Sequence, residues 1–153
     1  MPVNNDLVGR EFPPTAPYLV GREKVREFAR AVFADAPQHT DLAAAQAAGY
    51  ADVVAPPTFA MVIQDLTLQQ LLAEPDSGIV LARTIHAEQR FTYSRPIVAG
   101  DELTAQLSVT GIRALGGNAM ITSDATITDA AGEHVVTATS VLLVGSDSEG
   151  EDA

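Results

Sequence analysis

One histidine and two carboxylates sit close together in the stretch Ala34-Asp35-Ala36-Pro37-Gln38-His39-Thr40-Asp41. An imidazole near a carboxylate is common equipment for moving a proton, because imidazole changes its protonation state close to neutrality. His39 is the leading acid/base candidate, and Asp35 and Asp41 are the carboxylates nearest to it in sequence. Asp41 stands just before the alanine-rich run 42–48 and fits a helix N-cap better than a catalyst. Ala55-Pro56-Pro57-Thr58-Phe59 follows shortly after. It opens a long apolar pattern, and Pro57 suits a first helical turn, where a missing N–H does no harm.

The elements that must position these residues are readable from periodicity. Residues 22–33 form a helical pattern, with Val25, Phe28, Ala29 and Val32 on one stripe. Arg22, Arg26 and Arg30 run down another face, interleaved with Glu23 and Glu27, as on an ordinary solvated helix. A polar loop covers 35–41, and a short helix over 42–48 is ended by Gly49. Residues 57–73 read as the longest helix. Phe59, Val62, Ile63 and Leu66 cover one face, and Leu68, Leu71 and Leu72 cover much of the rest, so other elements should bury it. Gln64 and Asp65 are its polar residues, and Glu74-Pro75-Asp76-Ser77-Gly78 stops it. The second half is β-rich. Residues 79–93 are extended, and Leu103, Ala105, Leu107 and Val109 alternate with polar neighbours. Leu115-Gly116-Gly117-Asn118 and Asp129-Ala130-Ala131-Gly132 are turns that set off strands at 119–128 and 133–144. Short turns between long strands predict an antiparallel meander. One buried helix followed by such a sheet predicts an α+β hot-dog arrangement, a long antiparallel sheet wrapped around a central helix. Its edge strands call for a dimer.

Composition narrows the function classes. The chain has 153 residues, 46% of them hydrophobic and 19% charged, which predicts one globular domain. That domain is assigned to residues 1–144, followed by an acidic, disordered tail at 145–153. With no cysteine, disulfides, thiolate nucleophiles and cysteine-based zinc sites are excluded together. His39, His86 and His134 lack metal-ligand spacing, so no metal and no cofactor is expected. Nine basic residues against twenty acidic ones give a formal charge of −11, which would repel a phosphate backbone, so nucleic acid is not an expected partner. No apolar run reaches membrane-spanning length and the N-terminal residues do not read as a secretory signal, so a cytoplasmic location without membrane attachment is expected. Gly116-Gly117-Asn118 precedes no helix and reads as turn chemistry rather than phosphate binding.

The loop resembles one family closely. R-specific enoyl-thioester hydratases and dehydratases of the MaoC-like group carry Asp-x-Asn-Pro-x-His-x-Asp before the central helix, which opens with Ala-Pro-Gly. Pro37, His39 and Asp41 fall on Pro-x-His-x-Asp, and Gly49-Tyr50 and Ala55-Pro56 fall on the features that follow. Glu88-Gln89-Arg90-Phe91-Thr92-Tyr93-Ser94-Arg95-Pro96, Gly100-Asp101-Glu102-Leu103, Gly116-Gly117-Asn118 and Ala138-Thr139-Ser140 are similar to the N-terminal branch of the group. That branch includes the A and C subunits of mycobacterial 3-hydroxyacyl-carrier-protein dehydratases. The resemblance covers roughly residues 6 to 144.

The departures matter as much as the matches. Ala34 stands at the catalytic aspartate position, Ala36 at the asparagine, and Pro57 at the glycine whose N–H would polarise the thioester carbonyl. Losing one such donor costs on the order of 10²–10³ in rate. The resemblance therefore implies a subunit of an (R)-3-hydroxyacyl-thioester dehydratase that contributes acyl-chain binding and half of a dimer, with proton transfer supplied by a partner chain. Pro57, Thr58, Phe59, Val62, Ile63 and Leu66 are the implied substrate-binding residues. The substrate would be an acyl-CoA or an acyl-carrier-protein thioester, and the partner a second copy or a catalytic hot-dog subunit. Two alternatives stand beside it: a self-sufficient homodimeric hydratase using His39 and Asp35, and a non-enzymatic acyl-thioester binding module. A thioesterase reading would rest on Asp65, a helix carboxylate that reads more simply as a polar surface position.

Overall fold

The structure is a computed structural model that describes residues 2–146. After a short N-terminal 3₁₀ turn, strand β1 (Tyr18–Leu19) leads into helix α1 (Arg22–Ala31). Val25 and Ala29 of α1 are buried and Phe28 is half-buried, as the stripe predicts. Val32 departs from that stripe. The helix reverses just past Ala31, with Phe33 N–H donating to the Arg30 carbonyl at 3.3 Å and Ala34 N–H to the Ala29 carbonyl at 2.9 Å. This hydrogen-bond pair is a Schellman-type end, and its left-handed position, usually a glycine, is held by Phe33 at φ 57. The reversal turns Val32 and Phe33 outward, leaving them 43% and 85% exposed.

A 3₁₀ turn at Pro37–His39 follows, then helix α2 (Leu42–Ala47), capped by Asp41, whose carboxylate accepts from Ala44 N–H at 2.9 Å. Asp41 is thus the cap that the sequence implied. A second 3₁₀ turn, Pro57–Phe59, runs into the central helix α3 (Ala60–Ala73). Ala60, Ile63, Gln64, Thr67 and Leu71 form its buried stripe, Leu66, Leu68 and Leu72 are half-buried, and Asp65 and Gln69 face out. Gly78, just beyond, has φ +70, and a Cβ there would fall 2.1 Å from the Pro2 carbonyl oxygen, so only glycine fits.

Strands β2 (Thr84–Tyr93), β3 (Glu102–Leu115), β4 (Asn118–Thr128) and β5 (His134–Val144) complete the chain. The extended stretch expected from residue 79 is regular strand only from Thr84, because Leu81–Arg83 form a 3₁₀ turn. These five strands pair antiparallel in the order β1-β3-β4-β5-β2. Register shifts at His86/Glu88, Val109/Gly111 and Ile127/Thr128 bend the strands, as bulges do. The sheet packs on α3 through β3, β4 and β5. Leu103, Ala105, Leu107 and Val109 all point into the core. This is the hot-dog arrangement.

The core has two apolar clusters, one around Phe59, Ile63, Ala105 and Ile127 and one around Leu71, Leu107, Ile121 and Leu142. Gln64, Thr67, Ser123 and Ser140 are buried polar residues that belong to neither. Residues 147–153, most of the expected tail, lie outside the described residues. Gly145 N–H donates to the Arg83 carbonyl at 2.8 Å and Ser146 N–H to Asn118 Oδ1 at 3.2 Å. No described helix is long and apolar enough to cross a membrane.

Candidate functional site

A cavity of about 480 Å³ is lined by Gln38, His39, Tyr50, Val54, Ala55, Pro57, Tyr93, Ser94, Arg95 and Pro96. Four chain segments meet there: the 3₁₀ turn carrying His39, Tyr50 just past α2, the approach to the central helix, and the end of β2. Another cavity, of about 400 Å³, is lined by residues such as Val3, Ile112, Asn118 and Val144 and holds no titratable side chain. The first holds His39, the acid/base candidate of the loop.

His39 is half-buried, and its Nδ1 lies 2.6 Å from the Val54 carbonyl oxygen. A carbonyl only accepts, so Nδ1 carries the proton and donates it. That fixes the neutral tautomer and leaves Nε2 as the basic nitrogen. The same loop is stitched by Val54 N–H donating to the Gln38 carbonyl at 2.9 Å. Pro57 is exposed and shares the cavity with His39. The Tyr93 hydroxyl donates to the Pro57 carbonyl. Burial pushes the Tyr93 phenol up to about 12, partly offset by a hydrogen bond involving the Ala60 backbone. Tyr93 thus stays protonated at neutral pH and pins the end of β2 to the opening of the helix.

Arg95 brings a cation to the cavity but is already engaged. Its guanidinium donates to Asp101 at 2.9 and 3.1 Å and to Asp129 at 3.2 Å. These carboxylates, Asp101 first, hold the guanidinium above its ordinary value. Asp129 in turn sits below the usual carboxylate range, because the Glu133 N–H and then Arg95 donate to it.

The residues expected to act are not all brought together. His39 and Pro57 line one cavity. Asp35 is exposed and outside that lining, and so is Thr58. Phe59 and Ile63 are fully buried in the core, with Phe59 meeting Phe28 edge-on at 5.3 Å between ring centroids. Val62 and Leu66 are half-buried and also outside the lining. Ala34 and Ala36 are half-buried and carry no polar side chain. Asp65 is exposed and accepts from the Gln69 side chain at 2.6 Å. Tyr50, Tyr93, Ser94 and Arg95 are cavity residues that sequence reasoning did not single out. The signal was available, since Tyr93-Ser94-Arg95-Pro96 ends a strand that the wrapped sheet returns to the helix opening. Among the described residues no group of three or more His, Asp and Glu side chains is placed to hold a metal ion.

The fold and this cavity define a hot-dog domain of the MaoC-like dehydratase class. A model of the FAS1-like, dehydratase domain region family matches residues 6–138, and the chain belongs to that family. It is 63% identical over 147 residues to a UPF0336 protein of Clavibacter michiganensis, covering 96% of this chain and 99% of the relative. A UPF0336 protein of Streptomyces coelicolor is 46% identical over 143 residues, covering 94% and 95%. Among solved structures, the C-terminally truncated HadBC (3R-hydroxyacyl-ACP dehydratase) complex from Mycobacterium tuberculosis superposes with a TM-score of 0.78 at 32% identity, covering 87% of this chain and 92% of that one. A MaoC-like dehydratase matches with a TM-score of 0.81 at 41% identity, and this chain spans 42% of its length.

Proposed function

We propose that the chain is a hot-dog subunit of an (R)-3-hydroxyacyl-thioester dehydratase, acting in the reversible loss of water that gives a trans-2-enoyl thioester. The thioester, on CoA or a carrier protein, occupies the cavity of His39 and Pro57. One observation carries this reading. His39, with a free basic Nε2, faces the same cavity as a helix opening whose first residue has no N–H, while Ala34 stands where an acid would. The site keeps a shape and an imidazole but lacks a backbone donor and a carboxylate. A partner hot-dog chain with the complete Asp-x-Asn-Pro-x-His loop would supply both.

The sheet supports a partner. Strand β2 is an edge of ten residues, paired only with β5 among the described residues. Ile85 on it is 63% exposed, and Val80 and Leu81 just before it are 41% and 68% exposed. An open edge flanked by apolar side chains favours pairing with another sheet. The solved HadBC relative is itself a complex.

The test is co-expression with such a partner, size-exclusion chromatography, and a dehydratase assay on each component and on the mixture. The expected result is a stable complex more active than the partner alone. A mixture no more active than the partner rejects the reading. A self-sufficient homodimeric hydratase is the second reading, favoured by the fixed tautomer of His39. It requires hydration of crotonyl-CoA by the purified chain and loss of that activity in His39→Ala.

A further inference from the structure

Ser94 is exposed, stands at the end of β2 and lines the cavity with His39 and Pro57. Its Oγ is hydrogen-bonded to Nδ1 of His134, the first residue of β5. The other ring nitrogen, Nε2, lies 2.8 Å from Thr137 Oγ1. The backbone fixes the pair, since Ser94 N–H donates to the Val135 carbonyl at 2.8 Å. A hydroxyl bonded to an imidazole that is oriented by a third group is the arrangement that activates an oxygen nucleophile. Nothing in the dehydratase reading uses it, and His134 is remote in sequence from the loop that carries His39.

We propose that Ser94 is an acyl-accepting nucleophile with His134 as its general base and Thr137 as the positioning residue. The proposal rests on the reading that this cavity takes acyl thioesters. With Nε2–H donated to Thr137 Oγ1, Nδ1 is the basic nitrogen. Ser94 Oγ attacks the thioester carbonyl carbon while its proton passes to Nδ1. The tetrahedral intermediate collapses, the C–S bond breaks, and the leaving sulfur takes the proton from Nδ1. The products are an ester on Ser94 and a free thiol. Water then attacks the ester, giving its proton to Nδ1. The C–O bond to Ser94 breaks, Oγ recovers the proton, and a carboxylic acid leaves.

The surroundings set the expected pace. Pro57 and Pro96 have no N–H, and the Arg95 guanidinium is engaged by Asp101 and Asp129. Each absent oxyanion donor slows a step by about 10²–10³. A thiol leaves readily, whereas serine leaves poorly, so deacylation suffers more. The expected behaviour is accumulation of an acyl-enzyme rather than rapid turnover.

The experiment incubates the full chain with butyryl-CoA, a saturated thioester that cannot be hydrated, and follows it by intact-mass spectrometry and peptide mapping. Calorimetry of butyryl-CoA binding and thermal melts accompany each variant. The expected result is a mass gain of one butyryl group on Ser94, absent in Ser94→Ala and formed about 100-fold more slowly in His134→Gln. Binding without an adduct overturns the proposal and leaves the acyl-thioester reading standing. Neither binding nor an adduct overturns both. An adduct on another residue, or one indifferent to His134→Gln, also overturns the proposal. Ser94→Cys gives an independent check, because the chain has no other cysteine. Its thiol should alkylate with iodoacetamide faster at neutral pH than in the Ser94→Cys/His134→Gln double variant. Equal rates show that His134 does not activate position 94.

Discussion

On the proposed reading, placing an acid at position 34 and a backbone donor at position 57 should raise hydratase activity. The double variant Ala34→Asp/Pro57→Gly tests this directly. An oxyanion donor is worth about 10²–10³ in rate, and a positioned acid/base group about 10²–10⁴. Together they amount to about 10⁴–10⁷, or about 5–10 kcal/mol of transition-state stabilisation at about 1.4 kcal/mol per tenfold. The structure indicates that the scaffold accepts both changes. Pro57 is exposed, and the Tyr93 hydroxyl is bonded to its carbonyl, which glycine retains. The Ala34 N–H, which closes the end of α1 on the Ala29 carbonyl, is also a backbone group and survives the substitution. The freer unfolded chain costs about 1–2 kcal/mol, tolerable for a domain with about 5–15 kcal/mol of stability. The assay is hydration of crotonyl-CoA, read as loss of enoyl-thioester absorbance, for the parent chain, both single variants and the double. The double variant should approach the product of the two single gains. A double variant that folds, binds crotonyl-CoA and runs within tenfold of the parent would refute the assignment of the deficit to these positions.

Other outcomes follow from the same structure. Phe33→Gly should stabilise the chain, since a non-glycine residue in the left-handed region costs about 1–2 kcal/mol and the exposed ring recovers little. After the entropy of a glycine is deducted, a net gain of about 0.5–1 kcal/mol should raise the melting temperature by about 1–4 °C. Phe59→Ala should cost about 3–5 kcal/mol in a denaturant titration, because Phe59 is fully buried against Phe28 and the sheet. Asp52, Asp76 and Asp129 are held below the usual carboxylate range, chiefly by Arg22, by Arg10 and by the Glu133 N–H respectively. Their contribution is complete above about pH 4 and is lost as pH falls through their lowered values, so melting temperature should drop on acidification below about pH 4. Tyr93 has the opposite sign. With its phenol pushed up to about 12, its contribution is present below pH ~10, the unfolded value, and is lost as pH rises toward the folded one. Tyr93→Phe should remove that alkaline loss.

The readable part of this molecule is the part governed by period. Alternation in 103–109 and the apolar wrap of 60–73 each translate directly into burial, because one face of a strand and most of a central helix must leave water. The unreadable parts turn on single hydrogen bonds or on register. Val32 fits the stripe of α1, yet two backbone bonds end the helix before it and turn it outward. Strand β1 is too short for any period and exists because Tyr18 and Leu19 find Leu103 and Glu102 across the sheet. In the site, His39 was a candidate by type and Pro57 by the family resemblance, and both line one cavity. Tyr93, Ser94 and Arg95 stood in a family-like stretch, but their place beside His39 depends on how far the sheet curls. Ser94 with His134 was further hidden, being joined only by the β2–β5 pairing.

That division explains how such a chain can keep a fold while its chemistry changes. Phe59 and Ile63, within or just after the helix opening, are fully buried, and their loss would be felt by the whole domain. Pro57, two residues before Phe59, is exposed, and Ala34 and Ala36 sit in a loop where the Ala34 N–H and the Ala36 carbonyl are bonded to other backbone groups. A carboxylate at position 34 would contribute chemistry but little packing, so its absence costs little stability. Edge strand β2 and the apolar residues before it are different: their exposure in a lone chain is a liability unless another sheet covers them. On the proposed reading, alanines at 34 and 36 beside an open ten-residue edge fit a subunit. Charged substitutions in the exposed apolar patch, such as Leu81→Glu with Ile85→Lys, should therefore abolish partner-dependent activity while leaving the melting temperature of the isolated chain nearly unchanged. Equal loss of both would mean that the patch serves this chain's own fold.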